Sequence, residues 1–304
     1  MALHRLQSIT LGVPNVADTA RYYEEFGLGR TRTGGLATTD GGEQLLLRRA
    51  PRRRLEELRI ECDDADDLNR IATNLSRLDI AFDRTATELS AVEDASGVRA
   101  TVVAAARRQQ PLVEERHYNT PGNPVRGTGR SGSLGRTDPV RPRQLGHVVV
   151  GSLDQNRTQT FFMQGIGFLI SDEIKGRAAF LRCSEEHHNL LVQSAPVNFF
   201  HHSSWQVDDI DEIGRGAAAM LEVDPSRHVW GLGRHHVGSN FFWYLRDPAG
   251  NFSEYYSDMD CILEDQLWKP EVFEGKWARY DWGPPPPPSF IRPDDLTELM
   301  ADLH

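Results

Sequence analysis

A chain of 304 residues, 39% hydrophobic and 26% charged, is long enough for two ordinary domains and has a globular composition. Its formal net charge of −10 argues against nucleic acid or an anionic membrane as a partner. No apolar run approaches the roughly 20 residues that span a bilayer. The opening MALHRLQSITLGV lacks a signal-peptide layout. Three scattered cysteines, Cys62, Cys183 and Cys261, form neither a disulfide framework nor a CxxC knuckle, so a soluble, cytoplasmic protein is expected.

Ser8 to Leu28 reads as a β-branched strand, a short turn and an amphipathic helix carrying paired aromatics, with glycine near its end. Glu57 to Leu75 reads as a strand that passes through an acidic helix start into a helix. Arg107 to Arg143 is rich in Gly, Pro, Arg and Ser and reads as a linker or a long ordered loop. Beyond it the chain repeats itself. His147 to Phe168 has the layout of Ser8 to Leu28, His202 to Met220 that of Glu57 to Leu75, and LRDPAGNFSEY echoes VEDASGVRATV. The pattern predicts an α+β fold of four modules, two in each half. From Asp258 onward the pattern becomes irregular, with Trp268, Trp277, Trp282 and a polyproline II run at Pro284 to Pro288. Exposed tails seldom carry so many tryptophans, so this one is expected to fold back over the second half.

The segment from Gly233 to Tyr256, GRHHVGSNFFWYLRDPAGNFSEYY, carries the most chemistry. Asp247-Pro248-Ala249-Gly250 is a turn by composition, so its flanks fold back as a hairpin. Alternation puts Phe242, Tyr244 and Arg246 on one face of the first strand, and Phe252, Glu254 and Tyr256 together on the second. A lone carboxylate among aromatics is costly unless a cation neutralises it.

The duplication acts as an internal control. Superposing the halves sets Ser8 opposite His147, Glu57 opposite His202 and Thr101 opposite Glu254, a difference that shared packing needs cannot explain. Two histidines and one carboxylate hold Fe(II) while leaving positions open for substrate and O2. Taken singly, His147 reads as a strand-end histidine, His202 as a surface histidine and Glu254 as a salt-bridged carboxylate; the case rests on the three together. In the His201-His202 pair the rings are expected to face opposite ways. His201 would share the helix-packed side with Val197, Phe199, Trp205 and Val207. His202 would share a polar cavity wall with Asn198, Ser204 and Gln206. His188 follows a turn-like stretch, starts another strand and suits proton transfer beside an open metal site. His235 and Tyr244, nine positions apart, are candidates to hydrogen-bond a bound oxygen.

On these residues the chain resembles the type I extradiol ring-cleavage dioxygenases of the vicinal oxygen chelate superfamily, from the Ser8 module through Tyr256. The resemblance implies two domains, each of two βαβββ modules forming an incomplete barrel, with Fe(II), or occasionally Mn(II), in the C-terminal one only. It implies His147, His202 and Glu254 as metal ligands and His188 as the acid–base histidine. It also implies that His235 contacts the catecholate, with Tyr244 behind it, and that Val149 and Phe180 line the ring pocket. The expected units are residues 1–106 without metal, a linker at 107–142, a catalytic domain at 143–258 and a tail at 259–304 over the active site. The substrates would be a catechol and O2, the product a ring-opened semialdehyde from aromatic degradation, and the assembly a homo-oligomer. Trp230 lies where relatives acting on acidic catechols tend to place an arginine. With Trp205, Trp243 and Phe180 it leans toward an uncharged, bulky or aryl ring substituent, although Arg234, Arg246 and Arg279 leave an acidic group open. The alternatives on this fold are a glyoxalase-like lyase or isomerase and a non-enzymatic small-molecule-binding protein, and only the site distinguishes them.

Overall fold

The computed structural model of the chain describes residues 2–114, 116–127 and 129–300, so the last residues of the expected tail, 301–304, lie outside the described ones. The first half runs β1 (Leu3–Val13), α1 (Val16–Glu25), β2 (Gly29–Arg30), β3 (Leu36–Thr38) and β4 (Gly42–Arg49). It continues with β5 (Arg54–Cys62), α2 (Ala65–Arg77), β6 (Phe82–Arg84), β7 (Glu88–Val92) and β8 (Arg99–Ala104). The second half repeats this order as β9 (Leu145–Ser152), α3 (Gln155–Thr160), β10 (Leu169–Ile174), β11 (Ala178–Arg182) and β12 (Leu190–Ser194). Then follow β13 (Phe199–Gln206), α4 (Ile210–Val223), β14 (His228–Arg234), β15 (Phe241–Arg246) and β16 (Phe252–Ser257). Acidic caps start α2, α3 and α4: Asp64 accepts from the backbone of Asp66 and Asp67, Asp154 from Arg157, and Asp209 from Glu212. None of the helices in the described residues is long and apolar enough to cross a membrane.

The strand orders correspond. The first sheet runs β2-β3-β4-β1-β5-β8-β7-β6 and the second β10-β11-β12-β9-β13-β16-β15-β14, with β17 (Val272–Phe273) added to the β10 edge. In the first sheet Ser8 pairs with Arg59, Thr10 with Glu57, and Arg59 with Thr101. In the second, His147 pairs with Ser204, Val149 with His202, and Ser204 with Glu254. Ser8 and His147, Glu57 and His202, and Thr101 and Glu254 therefore occupy equivalent places. The first-half set is satisfied internally: Thr101 Oγ1 donates to Glu57 Oε1 at 2.6 Å, and Arg59 Nη1 lies 3.3 Å from the same carboxylate.

Alternation gives β13 and β16 two distinct faces. Trp205 and Tyr255 turn toward the first half, where the Phe26 ring stacks on Tyr255 at 3.8 Å and Tyr23 packs edge-on against Trp205. Tyr255 also donates its hydroxyl proton to Phe26 O at 2.6 Å. The opposite face carries His202, Ser204, Glu254 and Tyr256. The hairpin forms as expected: Gly250 has φ +90°, its N–H donates to Asp247 O at 3.0 Å, and Tyr244 sits directly opposite Glu254.

Strand β13 departs from the strict alternation expected of it. Its register against β9 shifts between Phe200 and His202, a β-bulge that interrupts the alternation. His201 and His202 do not face opposite ways; their rings are 4.9 Å apart and both line the same cavity, together with Phe199. Asn198 is not on the cavity wall: it bonds to Leu153 N and Ala95 O. Gln206 points instead to Glu186.

The described residues of 107–142 contain little regular structure, and Arg116 and Arg136 pair with Asp209 ahead of α4. The stretch from 259 to 300 packs along the second sheet. Trp268 Nε1 donates to Ser171 O at 2.8 Å, β17 pairs with β10, and Trp230 Nε1 donates to Pro284 O at 2.7 Å. Pro288, the last residue of the proline run, opens the helical turn α5 (Pro288–Ile291), because proline suits a first helical position.

Candidate metal centre

Three neighbouring strands of the second sheet each contribute one polar side chain to a single point. His147 comes from β9, His202 from β13 and Glu254 from β16, and all three are buried. His147 Nε2 lies 3.1 Å from Glu254 Oε2, His202 Nε2 lies 3.6 Å from the same oxygen, and the two Nε2 atoms are 3.4 Å apart. Donors about 2.1 Å from one centre, at angles of 90 to 109°, would be about 3.0 to 3.4 Å from one another. Among the described residues the buried Glu254 Oε2 has no hydrogen-bond partner, whereas Oε1 accepts from Asn240 Nδ2 at 3.2 Å. Among the described residues this is the group whose donor atoms are close enough to share an ion.

The electrostatics agree. Burial alone would raise the Glu254 carboxyl, but the imidazoles of His147 and His235 outweigh it and hold the group well below the usual range. Burial pushes His202 and His188 well below the ordinary histidine value, with neighbouring histidines adding to the effect. The site therefore offers one carboxylate oxygen and two imidazole nitrogens, a donor set that suits a divalent iron or manganese ion.

The remaining candidates gather around this point. His188 lies just ahead of β12 rather than starting it, its ring 4.3 Å from that of His147 and 5.0 Å from Phe180. His235 follows β14; its Nε2 is 2.9 Å from Tyr244 Oη, and its Nδ1 donates to Arg279 O at 2.6 Å. Tyr244 is buried, and burial together with Glu254 raises its hydroxyl well above the usual value. Trp230 stacks parallel to Tyr244 at 5.6 Å. Val149 and Phe180 form an apolar wall with Ala178, Leu191 and Val237. The cavity in front of these groups measures about 890 Å³.

Two of the aromatics expected near the pocket are elsewhere. Trp205 is buried in the core, and Trp243 bonds to His228. Of the three arginines, Arg234 pairs with Asp258 and Arg246 with Asp294, while Arg279 borders the cavity alongside Arg177 and Arg292. From sequence, His201 is expected on the helix-packed side and no role falls to His187, Asp172 or Phe290; His187 in fact joins His188 to Asp172, and His201 joins His202 to Phe290 O. The doubled HH at 187–188 and 201–202 was the available signal.

No family model matches the chain. Metapyrocatechase 2 of Cupriavidus necator is 30% identical over 307 aligned residues, covering 96% of this chain and 92% of that protein. An iron-dependent extradiol dioxygenase of Rhodococcus jostii is 25% identical, covering 68% of this chain and 71% of that one. Among solved structures, homoprotocatechuate 2,3-dioxygenase from Arthrobacter globiformis superposes with a TM-score of 0.73 at 17% identity, covering 95% of this chain and 91% of that one. The Mn(II)-bound glyoxalase from Novosphingobium aromaticivorans superposes with a TM-score of 0.72 at 20% identity, covering 94% and 93%. The last two share the fold, which serves more than one chemistry. Similarity along nearly the whole sequence is what decides the family, and the chain belongs to the extradiol ring-cleavage dioxygenases of the vicinal oxygen chelate superfamily.

Proposed function

We propose that this protein is an extradiol dioxygenase that opens a catechol ring with O2 beside its vicinal hydroxyls, giving a semialdehyde, in the breakdown of aromatic compounds. The observation that carries the reading is the convergence of His147, His202 and Glu254 on one point at the wall of the cavity, with His188 and the His235–Tyr244 pair around it. His147, His202 and Glu254 would hold Fe(II), with Mn(II) as the alternative metal for the same donor set. When bound, the metal supplies positive charge that stabilises the catecholate and a position beside it for O2.

The chain's own residues do the rest. His235 and Tyr244 orient the substrate oxygen, and His188 holds or moves a proton at its cavity-facing Nε2. Trp230 packs behind Tyr244. Val149, Phe180 and Leu191 press on the ring faces and exclude water. Ala178, Phe199 and Leu296 also line the cavity, apolar surface suited to an uncharged, bulky or aryl ring substituent. In this scheme residues 143–258 carry the chemistry, 1–106 provide a frame without metal, 107–142 connect them, and the tail from 259 closes the cavity. We place the protein in the cytoplasm as a homo-oligomer, with neither nucleic acid nor membrane as partner.

The test uses anaerobically purified protein loaded with Fe(II) and a panel of catechols bearing alkyl, aryl and carboxylate substituents. Oxygen uptake and a yellow product are expected, strongest with uncharged bulky rings. A metal-loaded sample inert on the whole panel would overturn the assignment and favour a lyase or a binding protein on the same fold.

A further inference from the structure

Both adjacent histidine pairs are built alike. His188 Nδ1 lies 3.0 Å from His187 Nδ1, and His187 Nε2 lies 2.8 Å from Asp172 Oδ2. His202 Nδ1 lies 2.7 Å from His201 Nδ1, and His201 Nε2 lies 2.7 Å from Phe290 O. Each inner imidazole thus meets an outer one, and each outer one ends on a group that only accepts hydrogen bonds. His235 reaches the same end in one step, through Nδ1 to Arg279 O at 2.6 Å. Phe290 and Arg279 belong to the tail, and the tail's Glu271 N–H donates to Asp172 Oδ1 at 2.7 Å.

Acceptor-only termini dictate where the protons sit. A neutral imidazole carries one N–H and one lone pair. His201 must place its proton on Nε2 to meet the Phe290 carbonyl, so its Nδ1 is an acceptor and His202 must donate from Nδ1. The same logic runs from the Asp172 carboxylate through His187 to His188. His147 differs: its Nδ1 is buried without a partner among the described residues. We infer that the C-terminal tail, through Phe290 O, Arg279 O and the Asp172 carboxylate it holds, sets His202, His235 and His188 in the Nδ1–H form. Each then keeps its bare Nε2 lone pair for the metal, the Tyr244 hydroxyl or the cavity. His187 and His201 are positioning residues in this arrangement, and the orientation of a metal-bound histidine by the partner of its other nitrogen is a general effect. The consequence for turnover rests on the function proposed above; the proton positions do not.

The test is long-range 1H–15N correlation on full-length, 15N-histidine-labelled protein, metal-free and with Zn(II) as a diamagnetic probe. Wild-type His188, His202 and His235 are expected as Nδ1–H tautomers already in the metal-free protein. His187→Leu should move the His188 proton to Nε2 and lower kcat of the Fe(II) enzyme at least about 10-fold with KM little changed. His187→Asn, whose amide oxygen replaces the lost acceptor, should restore both. His201→Leu should weaken Zn(II) binding about 10-fold or more. Nε2–H forms or a doubly protonated pair in the wild-type protein would overturn the inference, as would a His187→Leu variant with unchanged spectrum and kcat. If the leucine variants fail to fold, the wild-type spectra alone decide. Nδ1–H forms in a protein inert toward every catechol would sustain this inference and defeat only the proposed reaction.

Discussion

Arg53, from the first half, forms a two-point ion pair with Asp295 of the tail, with Nε and Nη2 2.6 and 2.8 Å from the two carboxylate oxygens. Its Nη1 donates to Phe200 O, at the bulge that brings His201 beside His202. One buried side chain thereby ties together the first half, the strand bearing a candidate metal ligand, and the tail. Asp295→Ala would leave the Arg53 guanidinium buried without its counter-charge, at a cost of about 2 kcal/mol. Faster proteolysis within residues 259–300 and a higher KM for catechols are expected, with metal affinity retained. Protease sensitivity equal to wild type would count against the clamp.

Metal binding should be visible as stability. A ligand at 100 times its dissociation constant stabilises the native state by about 2.7 kcal/mol. Adding Mn(II) to the anaerobic wild-type protein is therefore expected to raise Tm. Glu254→Gln, which removes the charged donor with little change of shape, should abolish most of that rise. An equal rise in the variant would remove Glu254 from the ligand set.

Burial pushes the Asp247 carboxyl up to about 6 from its ordinary 3.8, although hydrogen bonds from Asn251 partly oppose the shift. The folded chain then holds this proton more tightly than the unfolded chain. The contribution of Asp247 to stability is accordingly greatest below about pH 4, declines as pH rises to about 6, and levels off above that. Asp247→Asn removes the dependence. Relative to wild type, the variant should gain up to about 3 kcal/mol between pH 4 and pH 7, read from urea midpoints at the two pH values. A pH-independent difference would show that Asp247 titrates normally.

The apolar lining of the cavity makes a specificity prediction. Ala178 is buried in the wall that holds Phe180 and Leu191. Ala178→Phe should fill part of the cavity, lowering kcat/KM for an aryl-substituted catechol by about 10-fold or more, equivalent to about 1.4 kcal/mol. Unsubstituted catechol should be little affected. Equal losses on both substrates would place the bulky substituent elsewhere.

The candidate metal site was legible in the sequence because its cause is local and duplicated. Strand alternation set Glu254 with Phe252 and Tyr256, the Asp247–Gly250 turn set Tyr244 opposite it, and comparison of the halves singled out His147, His202 and Glu254. The same alternation failed at His201. A bulge depends on how the partner strand β9 is paired, and no period within β13 reports that. Asp172 lies 15 residues from His187, and Phe290 lies 89 from His201. Their union depends on where the tail packs against the second sheet, and that is decided by burial and hydrogen bonding across the whole domain. Residue order alone thus determined the four modules, the candidate ligands and the family. Only the tertiary structure decided which carbonyls and carboxylates stand behind the histidines, because acceptors so distant in sequence meet only once the chain has packed.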